Sequence, residues 1–274
     1  MTELSARPVS PLLRILPPGL YAGRASKLVE RSLLAYARAW FVFVSGVFEP
    51  LFYLVAFRIG FGRLVGEVAG PGGQPMSYVA FVAPALLASS AMNGAVFDST
   101  FNVFFRLRYT KLYDAMLATP VGPLDIALGE ISWAVLRGAL YALAFFGVML
   151  AMGLVFSPWA LLLVPVAILV AFTFAAIGMA CATFLKSTSQ FDFIQLAVVP
   201  MFLFSTTFYP LSVYPPALQI VVRISPLYHA VELTRDLSVG VVGFGLLGHL
   251  AYLIALAALG LYGAYRRLAR MLLK

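Results

Sequence analysis

The chain has 274 residues, of which 62% are hydrophobic and only 11% are charged. Soluble domains carry about 25% charged residues, so this composition excludes an ordinary soluble protein. The formal net charge of +8 does not predict nucleic-acid binding, because the basic residues lie beside apolar segments, where they suit anionic lipid headgroups.

Six apolar segments have roughly the length of a membrane-spanning helix, which is about 20 residues. They cover residues 40–57, 78–101, 126–154, 160–185, 194–211 and 241–262. We therefore predict an all-α integral membrane protein with six transmembrane helices. The predicted divisions are a flexible cytoplasmic N-terminus (1–21), an amphipathic interfacial helix (22–39), the six-helix transmembrane domain (40–262) and a basic cytoplasmic tail (263–274).

The basic residues indicate the orientation, because Lys and Arg near helix ends tend to stay in the cytoplasm. If both termini are cytoplasmic, most of the 19 Lys and Arg residues fall on the cytoplasmic side, and Arg137 falls within a span. The outer side then receives only Arg58, Arg63, Arg223 and Arg235. The distribution therefore predicts cytoplasmic termini and an even number of spans.

The segment before the first span has the pattern of an amphipathic helix. At about 100° per residue its basic side chains share one narrow sector, and apolar side chains face the opposite way. The basic residues are Arg24, Lys27, Arg31 and Arg38. Such a helix lies in the headgroup plane, either as an anchor for the first span or as an elbow on which the membrane domain moves.

The predicted cytoplasmic loop 106–120 is short and rich in basic and large side chains. Residues 109–117 are predicted to form about two helical turns, which end before Pro120 because proline disfavours helix at the preceding residue. An apolar ridge flanked by charge suits docking to a soluble partner, while a loop that only enforces topology would carry the same charge. The candidate docking residues are Arg106, Arg108, Tyr109, Lys111, Leu112, Tyr113 and Met116.

The outer segment 212–236, between the fifth and sixth spans, contains a short apolar stretch. Prolines break the chain before it, and residues 217–224 are too few to span a bilayer. The stretch is predicted to be either a re-entrant helix packed against protein or a surface helix on the outer leaflet. The candidate residues of an outer gate are Tyr209, Pro210, Tyr214, Arg223, Pro226 and His229.

Three charged residues are predicted to lie inside the membrane, where a charge costs about 2.5–3.5 kcal/mol on insertion scales. Glu49 and Arg137 are expected at similar depths, and we predict that they pair. Glu130 lies nearer the cytoplasmic headgroups, where it either bonds the loop or is hydrated. Asp98, Asp125 and Asp192 are expected at cytoplasmic edges, and Asp125 is expected to cap the third span.

Several sequence motifs, in this order, resemble the membrane subunits of type-2 ABC transporters, above all the nodulation-factor or lipooligosaccharide permeases and the daunorubicin-type exporter permeases. Each is short, and their order and spacing make the resemblance specific. The motifs are 48–50 (FEP), 78–84 (YVAFVAP), 88–92 (ASSAM), 116–120 (MLATP), 125–134 (DIALGEISWA), 204–210 (FSTTFYP) and 225–229 (SPLYH), followed by Arg235.

The resemblance implies a multi-pass permease of a bacterial-type cytoplasmic membrane, which exports an amphipathic substrate such as a lipooligosaccharide, glycolipid, polyketide or drug. It also implies two partners, namely a second permease subunit and a pair of ABC ATPase subunits that bind the ATP. The chain itself has no G-x-x-x-x-G-K-[ST] phosphate loop and no catalytic or metal-ligating motif, so we predict neither enzymatic activity nor a cofactor. A membrane-embedded lipid-modifying enzyme and an ion-coupled secondary transporter remain the alternatives.

Overall fold

A computed structural model of the chain describes residues 23–36, 48, 51–61 and 65–272. Short 3₁₀ turns cover Pro71–Gly73, Thr188–Gln190 and Leu211–Val213. The other elements, in chain order, are α1 (Ala25–Tyr36), α2 (Leu51–Gly60), β1 (Glu67–Ala69), β2 (Pro75–Ser77), α3 (Tyr78–Arg108), α4 (Leu112–Leu117), α5 (Pro123–Ala151), α6 (Pro158–Ala182), α7 (Phe191–Leu203), α8 (Pro216–Ile224), α9 (Pro226–Val239) and α10 (Phe244–Leu272).

Four helices in the described part of the chain, α3, α5, α6 and α10, are long and apolar enough to cross a membrane. They correspond to four of the six predicted spans. Most of the predicted first span lies outside the described residues, so six spans stays a prediction.

The predicted fifth span is wrong in its second half, because α7 ends at Leu203 and does not continue to residue 211. The polar residues that follow are buried, with Thr206 in the left-handed region at φ 56°. Ser205 bonds Ser225 and Thr206 donates to Glu232. These hydroxyl groups therefore bond the α8–α9 junction and α9 instead of continuing a helix of their own.

Helix α3 is longer than predicted, since it continues for 31 residues to Arg108. It passes through a π-helical stretch at Asp98–Asn102, where the Thr100 hydroxyl donates to the carbonyl of Val96. Such stretches often occur at functional positions. Because of this extension, Arg106 lies on α3 and faces α5, although it was predicted to lie in a loop.

The long helices pack through small residues. Helix α6 lies at the centre and contacts α3, α5 and α10, while α1 packs on α5 and α9 packs on α3. A Cβ added to Gly260 of α10 would lie 2.9 Å from the backbone nitrogen of Ile177 in α6. Close backbone approach of this kind is how helices associate in lipid, where burial of apolar surface gives little driving force.

A β-hairpin covers one end of the bundle. Strands β1 and β2 pair antiparallel, with Glu67 opposite Ser77 and Ala69 opposite Pro75. The hairpin was not predicted, because three-residue strands leave almost no periodicity to read. Ser77 then caps α3 by accepting the Ala80 N–H at 3.4 Å. We call this end the hairpin end. The opposite end carries α4, which belongs to the predicted loop 106–120; because that loop is predicted to dock a partner, we call it the coupling-loop end.

Candidate functional site

Helix α4 sits beneath the membrane helices at the coupling-loop end. It is shorter than the predicted helix, because Tyr109 still follows α3 and Lys111 adopts a left-handed conformation at φ 48°. A left-handed residue ends helical geometry, so α3 and α4 are separate helices. Helix α4 ends at Leu117, three residues before Pro120.

Glu130 of α5 joins four helices at this end. Its carboxylate, only 4% exposed, forms an ion pair with Arg106 of α3 through Oε2. Arg31 of α1 reaches the other oxygen, with Nη2 at 3.9 Å from Oε1. Buried charges of this kind persist only when paired. From the sequence, Glu130 could be either hydrated or bonded to the loop. In the structure Glu130 bonds Arg106, the first residue of the predicted loop.

Tyr113 of α4 packs under Glu130 and is 1% exposed. Burial, followed by the nearby negative charge of Glu130, raises the pKa of Tyr113 well above its usual value, so the phenol stays neutral. The prediction that Tyr113 belongs to the docking ridge is therefore wrong, because the side chain points into the protein. It instead seats α4 against the membrane helices.

Helix α1 is fixed to the start of α5 by Asp125. The carboxylate accepts the backbone N–H of Gly122 at 2.9 Å and that of Arg24 at 2.8 Å. Gly122, not Asp125, is the N-cap of α5, so Asp125 completes the cap from the first turn. A Cβ on Gly129 would lie 2.7 Å from the Cβ of Leu28, which shows how closely α1 packs on α5.

The surface that remains accessible at the coupling-loop end differs from the predicted ridge. Arg108, Tyr109 and Lys111 are exposed, whereas Leu112 and Met116 are half-buried. Arg106 forms an ion pair with Glu130, and its side chain is only 16% exposed. The exposed face of α4 is instead formed by Asp114, Ala115, Ala118 and Thr119 at its end.

A cavity of about 680 Å³ opens between α2, α3, α5 and α7. One part of its wall is aromatic and the other part is polar. The aromatic residues are Tyr53, Phe97, Phe101, Tyr141, Phe191 and Phe202, and the polar residues are Ser89, Ser90, Asn93, Thr100, Arg137 and Gln195. A cavity with both kinds of wall suits a ligand that is itself amphipathic.

The charge in this cavity is balanced by an unexpected partner. Arg137 pairs with Asp98 of α3 at 2.6 Å and donates to the Tyr141 hydroxyl at 2.8 Å. Asn102 donates to the same Asp98 oxygen at 2.8 Å. The expectation that Asp98 lies at a hydrated edge is wrong, because α3 extends past it and buries it. Glu49, the predicted partner of Arg137, lies outside the described residues.

We expect the Asp98–Arg137 pair to show strong coupling in a double-mutant cycle. Asp98→Asn and Arg137→Met each break this buried ion pair, which costs about 3–5 kcal/mol of unfolding free energy, while the double variant loses less than the sum. The measurement is reversible unfolding in mixed micelles. As the control, Asp192→Asn should add to Arg137→Met without coupling, since Asp192 is exposed. Additive losses for Asp98 and Arg137 would contradict the pairing.

At the hairpin end, Arg235 of α9 is buried. The charge distribution assigned it to the outer side of the membrane without predicting its burial, and it is 2% exposed. Its guanidinium donates to Glu232 at 2.8 Å, to the Thr206 carbonyl at 2.6 Å and to the Phe81 carbonyl at 3.3 Å, and lies 3.7 Å from the centre of the Phe81 ring. The sequence did contain a signal for this ion pair, because Glu232 lies three residues before Arg235, the spacing at which opposite charges pair along a helix.

The predicted gate region forms two helices, α8 and α9, where one was expected. Pro226, one of the predicted gate residues, is the first residue of α9, a position that proline favours. Tyr214 is buried and donates to the Leu203 carbonyl at 3.4 Å, whereas Tyr209 and Arg223 are exposed. His229 contacts the Arg223 carbonyl, and Pro210 precedes the turn Leu211–Val213. The predicted gate residues thus lie in one region without forming a single cluster.

Comparison with known proteins identifies the family of the chain. Residues 25–238 match the family described as ABC-2 type transporter. Nodulation protein J of Rhizobium leguminosarum bv. trifolii is 33% identical over 215 residues, covering 77% of this chain and 79% of the relative. Nodulation protein J of Sinorhizobium fredii is 31% identical over 246 residues, covering 89% and 92%. The chain, a multi-pass membrane protein by its apolar helices, therefore belongs to the ABC-2 type transporter family.

Proposed function

We propose that this chain is the permease subunit of an ATP-driven exporter of the cytoplasmic membrane, and that a separate ABC ATPase subunit docks on the exposed face of the coupling-loop end. Family membership supports transport. The observation that carries the coupling is the Glu130 junction, in which Arg106 of α3 and Arg31 of α1 pair with Glu130 of α5 next to the buried Tyr113 of α4. A force applied to α4 from the cytoplasm would reach three other helices through one buried carboxylate.

A second permease subunit completes the proposed exporter. Helix α7 has no buried residue, and Phe193 and Leu196 are 69% and 70% exposed. Its residues also line the aromatic and polar cavity. We propose that a second copy or a homologous subunit packs near α7, so that the cavity opens onto a pathway between the two subunits.

The substrate that this pathway suits is amphipathic, in the class of lipooligosaccharides, glycolipids, polyketides or drugs. The aromatic wall offers rings to an apolar chain, and the Ser, Asn and Gln side chains offer hydrogen bonds to hydroxyl groups. The buried Asp98–Arg137 pair keeps the formal charge of the wall balanced. The alternatives, a lipid-modifying enzyme and an ion-coupled transporter, gain no specific support from this geometry.

Co-purification of the ATPase tests the proposal. The tagged chain is purified from its own cell in mild detergent, and the proteins that accompany it are identified by mass spectrometry. We expect an ATPase that contains a phosphate loop to accompany the wild type. The amount of ATPase that co-purifies should fall at least tenfold in the double variant Ala115→Glu/Ala118→Glu, because two charges on the exposed face of α4 disturb a packed interface.

The control is Ala69→Glu, which places one new charge of the same kind on an exposed strand residue at the hairpin end. It should retain the ATPase. If the ATPase stays bound to the α4 variant, the docking surface lies elsewhere on the chain. If no ATPase accompanies the wild type, the alternative functions are favoured.

A further inference from the structure

The hairpin end carries a pair of imidazoles that the proposed transport cycle does not use. His229 of α9 and His249 of α10 face one another, with their Nδ1 atoms 2.8 Å apart and their ring centres 4.9 Å apart. They are the only two histidines in the chain. Both rings are half-buried, and Tyr252 stacks on His229 at 3.9 Å between ring centres.

The hydrogen bonds fix the tautomer of His229. Its Nε2 lies 2.9 Å from the backbone carbonyl of Arg223, and a carbonyl can only accept, so Nε2 carries the proton. The Nδ1 atom of His229 is then an acceptor, so His249 donates its Nδ1–H to it across the 2.8 Å contact. A metal ion that bound both Nδ1 atoms would replace this proton, and His249 would keep its proton on Nε2.

This is the arrangement of a metal-binding histidine. Histidines that ligate metals almost always donate their other N–H to a carbonyl or carboxylate, which orients the ring and fixes the tautomer. Metal–imidazole bonds are about 2.0–2.1 Å long, so two neighbouring ligands of a square-planar ion, at right angles, have nitrogen atoms about 2.9 Å apart. The observed separation of 2.8 Å is close to that value and shorter than the roughly 3.3 Å of a tetrahedral Zn²⁺ site.

We propose that His229 and His249 bind a divalent transition-metal ion that favours square-planar geometry, Cu²⁺ or Ni²⁺, and so clamp α9 to α10. Imidazole suits both ions. In the described part of the chain no third His, Cys, Asp or Glu completes a three-residue cluster, so water molecules fill the other coordination positions. Glu232, one turn along α9, is engaged by Thr206 and Arg235.

Copper EPR tests the site directly. The protein carries Cys181→Ser and a tag without histidine, so that no thiol or foreign imidazole competes. With one equivalent of Cu²⁺ at pH 7.5, we expect the hyperfine pattern of two imidazole nitrogens, and of one nitrogen in His249→Gln. Because the chain has two histidines, a wild-type spectrum with one nitrogen or none overturns the proposal, whether or not the variant folds.

A thermal shift with Ni²⁺ provides the second measurement. A metal that binds the folded state alone raises its unfolding temperature. Ni²⁺ should therefore stabilise the wild type, and EDTA should reverse the effect. His249→Gln should weaken Ni²⁺ affinity at least about tenfold, while Tyr228→Phe, which changes a neighbouring ring and keeps both imidazoles, should not. Equal affinity in wild type and His249→Gln contradicts the site.

Discussion

Glu130→Gln is expected to abolish most substrate-dependent transport and to lower the free energy of unfolding by about 3–5 kcal/mol. The change removes the negative charge that Arg106 and Arg31 share, while it keeps the size of the side chain. The loss comes mainly from Arg106, because its side chain is largely buried, whereas that of Arg31 is 37% exposed and its contribution is screened by solvent. Unfolding in mixed micelles and transport in vesicles measure the two effects.

The matched control for this change is Asp114→Asn, which neutralises an exposed carboxylate on α4. It should change unfolding by less than about 0.5 kcal/mol, as surface substitutions usually do. The proposed coupling makes a further distinction. ATP hydrolysis by the partner should continue in Glu130→Gln while transport stops, because docking is intact and transmission is broken. Normal transport with an intact rate of hydrolysis would refute the role of the junction.

Arg235→Met should be the most destabilising single change at the hairpin end, again by about 3–5 kcal/mol. The thioether fills much of the volume of the guanidinium but donates no hydrogen bond. Glu232 then loses its cation, and the carbonyls of Thr206 and Phe81 lose a donor. The buried turn that follows α7 should therefore detach from α3.

Arg223→Met is the natural comparison, since Arg223 lies on the neighbouring helix α8 and is exposed. It should unfold almost like the wild type. Amide hydrogen exchange would locate the effect, with faster exchange at 203–210 and in α9 for Arg235→Met only. Equal protection in the two variants would mean that Arg235 does not hold this turn.

The sequence predicted the long helices because each is a nearly continuous apolar run, and no tertiary information is needed to recognise one. It failed at α7, where the run continues to residue 211 but the helix stops at Leu203. Serine and threonine are apolar enough to prolong such a run, and the hydrogen bonds of Ser205 and Thr206 to distant residues end the helix. A hydropathy profile does not show these hydrogen bonds, because their partners, Ser225 and Glu232, are distant in the sequence.

The candidate site was predictable in its residues and not in its pairings. Arg106, Glu130 and Arg137 were all singled out, because intramembrane and loop charges are conspicuous in an apolar chain. Their partners depend on helix rotation and on where α3 ends. A helix that ended at residue 101 would leave Asp98 hydrated, whereas one that reaches Arg108 buries it beside Arg137. The position of one helix boundary, seven residues further along the chain, therefore decides whether Asp98 pairs with Arg137.

Helix α5 carries both Glu130 and Arg137, and their separation of seven residues is two helical turns, about 10 Å along the axis. No glycine or proline lies between them to let the rod bend. Any rotation of α5 at the Glu130 junction therefore reaches the cavity wall. If the proposed ATPase partner rotates α5, Arg137 turns together with Glu130, and the cavity changes through rotation of one helix rather than through displacement of a loop.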